Sequence, residues 1–290
     1  MFDVVGFGAL NLDRLYYKRA ITLRGKQQPP GSVFECPGGS AANTIAWLAD
    51  MGCSTGFIGA VGNDTDGKTI LHDFKKRGVD TTNITLLKGH SGLVTGFVES
   101  NGERSLYPYS GVNDKLTLKR KAIAYASKAR FLHLTSFVND LQLNEQEKLA
   151  ALVHNKVKIS FSPGDIYAEK GIGKLKPLLE KSHVVFLNQE EIEQLTGLAY
   201  KKGALLLCKM GVKITVITLG SQGCYVLSKK EKITVPCRKC KPLDTTGAGD
   251  AYAAGFLAGL LENKKIKECG RLGNQTARQC IRCHGARKTI

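Results

Sequence analysis

The chain has 290 residues, an apolar share of 42% and a formal net charge of +17. That length fits one large domain, or one with a small appendage, and excludes a disulfide-stapled mini-protein. No basic region followed by a long apolar run opens the chain and no apolar stretch is long enough for a membrane, so a cytoplasmic protein is expected.

The excess of 42 basic over 25 acidic residues favours anionic partners, either nucleic acid or a nucleotide or phosphorylated metabolite. The basic residues are scattered, as in Lys75-Lys76-Arg77, Lys119-Arg120-Lys121 and Lys229-Lys230. No long basic run carries interleaved aromatics, so nucleic acid is not the expected partner. Nine cysteines include two C-x-x-C pairs, Cys237/Cys240 and Cys280/Cys283. On a continuing strand the first pair would point to opposite faces, and on a helix the second would share one face. Two ligands do not make a zinc site, and reduced, packed thiols are expected.

In chain order, Asp3 to Gly8 is a short β-prone run ending in glycine. Gly6-Phe7-Gly8 is half of a dinucleotide fingerprint, but Asn11 stands where the third glycine belongs. Asn11 and Asp13 instead sit just past a strand end, where open α/β sheets bind ligands. Leu15 to Glu35 has no helical periodicity and contains Pro29-Pro30-Gly31, which reads as an extended excursion with a turn. Gly38-Gly39-Ser40-Ala41-Ala42-Asn43 offers bare backbone to something small, and Thr44 to Met51 reads as a helix stopped by Gly52. Cys53 to Gly62 reads as strand and turn, Gly67 to Arg77 as helix, and Val79 to Thr82 as the start of a strand. Gly92 to Glu99 and Arg104 to Tyr109 are β runs around Asn101-Gly102, a hairpin signal. From Leu116 onward β and α segments alternate: strands at 131–134, 157–161 and 184–187, helices at 145–153 and 173–180. This is the rhythm of a parallel sheet covered on both faces. Its loops place Asn188-Gln189-Glu190-Glu191 at one sheet edge. Val212 to Leu219 is a strong strand, and Gly220-Ser221-Gln222-Gly223 opens a hairpin with Cys224 to Ser228.

Asp244-Thr245-Thr246-Gly247-Ala248-Gly249-Asp250 then leads into a buried helix over 251–261. Two glycines and an alanine before a helix leave backbone N–H groups uncovered, and with the helix dipole these make an anion site. Asp244 or Thr245 can cap the turn, which frees Asp250 for another task. A carboxylate beside an anion hole can take a proton from a hydroxyl while the amides hold a phosphate. No Gly-x-x-x-x-Gly-Lys-Ser/Thr loop is present, so this is not a P-loop enzyme.

The 244–250 stretch resembles the C-terminal signature of the ribokinase-like (PfkB) carbohydrate and nucleoside kinases, and Gly38 to Asn43 resembles the N-terminal one. The resemblance covers most of the chain. It implies a three-layer α/β/α fold with a mainly parallel central sheet and a small β lid, in one kinase domain over 1–290 with the lid from about 13–36 and 91–112. It implies transfer of the γ-phosphoryl of ATP to a hydroxyl of a sugar or nucleoside, with Mg2+. Asp250 is then the base and Gly247, Ala248 and Gly249 form the anion hole. Asn11, Asp13, Gly38, Gly39, Asn43 and Arg104 face the acceptor. Thr218, Gly220, Gly223, Thr246 and Asn274 face the nucleotide. Asn188 and Glu191 organise Mg2+ and phosphates through water, and Asp244 serves a monovalent cation such as K+. The lid closes over the sugar and forms a homodimer contact. Ser40 departs from the lysine frequent in ribokinases proper, and Arg278, Cys280, Arg282 and Cys283 depart from an alanine-rich run. Two alternatives stay open: an already phosphorylated acceptor such as a pentose or fructose phosphate, with ATP or another nucleotide as donor, and a non-catalytic nucleic-acid-binding relative.

Overall fold

The structure, a computed structural model, describes residues 1–18, 29, 31–99 and 104–288. The chain enters with β1 (Phe2–Phe7) and passes directly to β2 (Asn11–Lys18) and then β3 (Ser32–Gly38). A dinucleotide fold needs a helix after Gly6-Phe7-Gly8, and a second strand stands there instead. Next come α1 (Ser40–Asp50), β4 (Thr55–Gly62), α2 (Thr65–Lys76), β5 (Asp80–Leu87), β6 (Gly92–Glu99) and β7 (Arg104–Tyr109). Helix α1 begins four residues earlier than the sequence pattern implies, because Gly39 takes the cap position at φ 97°. Only glycine adopts that angle without strain. The alternating half comprises α3 (Arg120–Ala126), β8 (Ala129–Thr135), α4 (Asp140–Val153), β9 (Lys158–Ser162), α5 (Gly164–Ala168), α6 (Gly171–Leu179) and β10 (Ser182–Asn188). It continues through α7 (Gln189–Thr196), α8 (Tyr200–Met210), β11 (Ile214–Thr218), β12 (Cys224–Ser228) and β13 (Lys232–Val235) to α9 (Ala248–Leu261) and α10 (Ile266–Cys280).

Nine of the described strands form one sheet in the order β13-β12-β11-β10-β9-β8-β1-β4-β5. Strands β5 through β11 along that row pair in parallel, and β12 and β13 close the edge antiparallel. Successive residues alternate between two apolar layers. Val4, Phe57 and Phe131 pack with α1 and α9 on one face, while Val5, Ile58 and Leu132 pack with α4, α6, α7 and α8 on the other. Burial on both faces is why these strands read as unbroken apolar runs. Helix α9 is buried nearly all round and so lacks an apolar stripe. Its glycines let α10 lie close: a Cβ on Gly259 would stand 2.9 Å from the Cys269 sulfur.

The second sheet has the order β3-β2-β6-β7. Its outer pairs are antiparallel and its central β2–β6 pair is parallel, so the lid sheet is mixed. The Asn101-Gly102 turn and most of 19–30 lie outside the described residues. Register sets Asn11 opposite both Gly38 and Gly92, directly after β1 leaves the main sheet. No described helix is long and apolar enough to cross a membrane. Strand β13 ends at Val235, so Cys237 and Cys240 lie in a loop and not on a strand. Cys283 lies past the end of α10, so it does not share a helix face with Cys280.

His133 on β8 is fully buried, and its Nδ1 lies 2.9 Å from the Ser160 hydroxyl. Burial lowers its pKa to about 3, against 6.5 for a free imidazole. Below pH 6.5 the unfolded chain therefore takes up a proton that the folded one refuses, and stability falls with pH until about 3. Urea titrations between pH 7 and 4 are expected to show this loss, with a shallower slope in His133→Gln. An equal slope in the variant would rule His133 out as the source.

Candidate active site

The parallel strands end along one edge, and the site residues stand there. Asn188 ends β10 and Thr218 ends β11, directly opposite one another. Asn188 caps α7 by a capping box: its side chain accepts from the Glu191 amide at 2.7 Å, and the Glu191 carboxylate accepts from the Asn188 amide at 2.9 Å. Burial, with Asp165, Asp250 and Glu190 nearby, raises the Glu191 pKa to about 7. A buried carboxylate crowded by like charges is suited to a cation. The residue types fit a hydrated Mg2+, an oxygen-liganded ion that keeps several waters.

Facing them is the amino end of α9. Gly247 is its cap at φ 73°, with no side-chain cap, and a Cβ there would strike Ala286. Asp244 caps the turn as expected: its carboxylate accepts from the Thr246 amide at 2.8 Å, and it also accepts from the Gly285 amide at 2.9 Å and the Tyr17 hydroxyl at 3.1 Å. The Ala248 amide donates to the Thr245 carbonyl at 3.2 Å, so the anion site rests more on Gly249 than on three equal donors. A Cβ on Gly249 would meet nothing, which leaves its backbone open to the cleft.

Asp250 stands in the first turn of α9 and is held by α1. Ser40 Oγ donates to Asp250 Oδ1 at 2.6 Å, and Asn43 Nδ2 donates to Oδ2 at 2.8 Å. Thr44 Oγ1 donates to the Asp250 carbonyl at 3.2 Å. These residues lie at helical spacings of three and four, on one face of α1. Asp250, Ser40, Gly249, Asn188, Glu191 and Thr218 line one cavity of about 180 Å³.

On the acceptor side, Asp13 is buried and lies against Gly38, where any Cβ would strike its carboxylate. The Asn11 side-chain carbonyl accepts from Asn113 at 3.1 Å, and Asn11 borders a recess of about 60 Å³ with Asn113 and Ser136. Arg104 lies in β7 opposite Val98, and its side chain lies outside the described residues.

On the other side of Gly249, a cavity of about 300 Å³ is bounded by Thr218, Gly220, Gly223, Ala248, Gly249 and Asn274. Thr245 borders it, whereas Thr246 is buried against Asp244 and lines neither cavity. Arg238, Lys239 and Arg278 also border it. Sequence reasoning singled out Arg278 only as a departure and missed the other two, which sit in a loop without periodicity.

Sequence reasoning also missed Arg287. Its Nε donates to Asn43 Oδ1 at 2.8 Å, one Nη donates to Asp73 at 2.6 Å, and the other donates to the Gly38 carbonyl at 3.0 Å. It thereby fixes both halves of the glycine turn and orients the Asn43 amide toward Asp250. No local motif marks it, since its partners lie 214 to 249 residues away.

An anion site at a helix end, a clamped carboxylate beside it, an acid suited to a cation across the cleft and a second, adjoining cavity suit a phosphotransferase with an alcohol group as acceptor. The chain belongs to the pfkB family carbohydrate kinases, whose pattern spans residues 1–290. It is a sugar or nucleoside kinase of that family. An uncharacterized sugar kinase of Archaeoglobus fulgidus is 38% identical over 243 residues, 84% of this chain and 97% of the relative. A cytidine kinase of Thermococcus kodakarensis is 28% identical, covering 98% of both chains. The crystal structure of adenosine kinase from Sinorhizobium meliloti superposes with a TM-score of 0.88 at 23% identity, covering 100% of this chain and 96% of that one.

Arg287→Ala removes one partner of a buried ion pair and unlocks Asn43. The expected loss of stability is about 3 kcal/mol, on the scale of breaking such pairs. Urea unfolding is the check, and a loss below about 1 kcal/mol would show the Arg287 network to be dispensable.

Proposed function

We propose that this protein transfers the γ-phosphoryl group of ATP to a hydroxyl of a neutral sugar or nucleoside, with Asp250 as general base. The observation that carries this reading is the clamped Asp250 carboxylate, which shares a cavity with the Gly249 backbone and Glu191. The donor's phosphates enter from the cavity lined by Gly220, Gly223 and Asn274, where Arg238, Lys239 and Arg278 supply positive charge. The γ-phosphoryl is held by the first-turn amides of α9. The acceptor hydroxyl meets Asp250, which takes its proton as the oxygen approaches phosphorus. Asn188 and Glu191 would hold Mg2+ through water, and the ion when bound offsets phosphate charge. Asp13, Asn11, Asn43 and the Gly38-Gly39 backbone orient the acceptor.

A neutral acceptor is supported by charge. Neither the transfer cavity nor the Asn11 recess is lined by a lysine or arginine among the described residues. A buried phosphate without a cation is costly. Arg287 lies close but is committed to Asp73, Asn43 and Gly38. A non-catalytic nucleic-acid-binding role has no such support, because the base and its clamp are intact. K+ is not carried into this reading. The Asp244 carboxylate is engaged by protein donors, and the Cys280 thiol faces the Thr246 and Ala286 carbonyls. The single kinase unit over 1–290 includes the lid strands. Exposed Leu106, Tyr107 and Tyr109 on β7 support a homodimer through the lid. A cytoplasmic setting, where ATP is supplied, belongs to the same reading.

Asp250→Asn is expected to keep the fold and nucleotide binding while lowering turnover about a hundredfold or more, the scale of a lost general base. The check is a coupled assay over sugars, nucleosides and sugar phosphates, with ATP and ADP as donors. Near-normal turnover in the purified variant would sink the assignment. Arg104→Ala separates the acceptor classes. With a neutral acceptor, KM is expected to change little. A loss of about 1.5–3 kcal/mol confined to phosphorylated acceptors would identify a phosphate clamp and overturn the preference.

A further inference from the structure

Ser40 has no assigned task in the reaction, yet its hydroxyl makes the shorter of the two side-chain hydrogen bonds to Asp250 described above, 2.6 Å to Oδ1 against 2.8 Å from Asn43 to Oδ2. The two bonds differ in kind. Asn43 is fixed from behind by Arg287 Nε at 2.8 Å. Ser40 is the first residue of α1 and lines the transfer cavity itself. Its short side chain turns about one torsion, so it can leave Oδ1 without moving the helix.

A kinase base faces a competing reaction. In hydrolysis a water oxygen bonds to the γ-phosphorus, the bond from phosphorus to the ADP oxygen breaks, and the water proton passes to the base. A cavity of about 180 Å³ has room for water. Water needs the hydrogen-bonding position on Asp250 that an acceptor hydroxyl needs. In this structure the Ser40 hydroxyl donates to Oδ1 and holds one of that oxygen's acceptor positions.

We propose that Ser40 is a positioning residue that guards the base. Its hydroxyl competes with water for Asp250 Oδ1 until an acceptor, bound by its other hydroxyls, displaces it. A lone water exchanges one hydrogen bond for another and gains fewer contacts than an acceptor with several hydroxyls. An acceptor held by Asp13 and Asn11 can make the displacement favourable. This rests on the reading of Asp250 as the base.

The test is the ratio of acceptor-free ATP hydrolysis to phosphoryl transfer at saturating acceptor, measured on the same preparation. Ser40→Ala is expected to raise that ratio about tenfold or more, the change expected from losing one hydrogen bond to a charged group. Ser40→Thr keeps the hydroxyl and is expected to stay within about twofold of the parent chain. A merely structural role would lower both rates together and leave the ratio unmoved. Ser40→Cys, with similar volume and a weak donor, serves if the alanine variant does not fold, and its ratio is expected to rise. An unchanged or lower ratio in a folded variant overturns the proposal. So does phosphoryl label found on Ser40 after incubation with ATP alone, since the side chain would then be an acceptor. Absence of transfer to every acceptor by the parent chain would instead overturn the kinase reading.

Discussion

The hydrogen-bonded junction between the amino ends of α1 and α9 is the constraint on which the site depends. Ser40, Asn43 and Thr44 meet Asp250 through three bonds from one face of α1. The two helix ends belong to segments about two hundred residues apart, yet each follows a glycine cap at positive φ. Facing helix amino ends repel a cation and attract an anion between them. The carboxylate of Asp250 is the anion present in the protein itself. The junction is half-buried and polar, so it is stabilising only if each member finds its partner. Arg287 meets that condition for Asn43, and the Trp47 indole donates to the Ala286 carbonyl at 2.9 Å on the same helix.

Charge is divided along the cleft. Glu191 lies near Asp165, Asp250 and Glu190, and its pKa is raised first by burial and then by these like charges. Arg238, Lys239 and Arg278 gather at the larger cavity on the other side of Gly249. The net charge of +17 speeds the approach of anions, but the local arrangement decides where each part rests.

The carboxyl-terminal segment is the tie that unites the separate parts. Residues 284 to 288 reach the lid at Tyr17, the loop at Asp244, and α1 and α2 at Trp47, Asn43 and Asp73. These contacts link the Gly38-Gly39 turn to the amino end of α9.

The sequence by itself determined the elements and the chemistry that local spacing encodes. Apolar alternation and turn residues marked the lid strands at 92–99 and 104–109 to the residue, because strand periodicity and hairpin signals are local. The glycine turns were legible for the same reason: Gly39 and Gly247 stand at positive φ directly before α1 and α9. Helix starts were less legible. Helix α1 began at Ser40 because Gly39 took the cap, and Asp244 became a bridge as well as a cap because Gly285 and Tyr17 came within reach. Only the tertiary structure decided what holds Asp250, which residues charge the donor cavity, and that Arg287 underlies Asn43. Those facts depend on contacts across more than two hundred residues, and no local periodicity carries them.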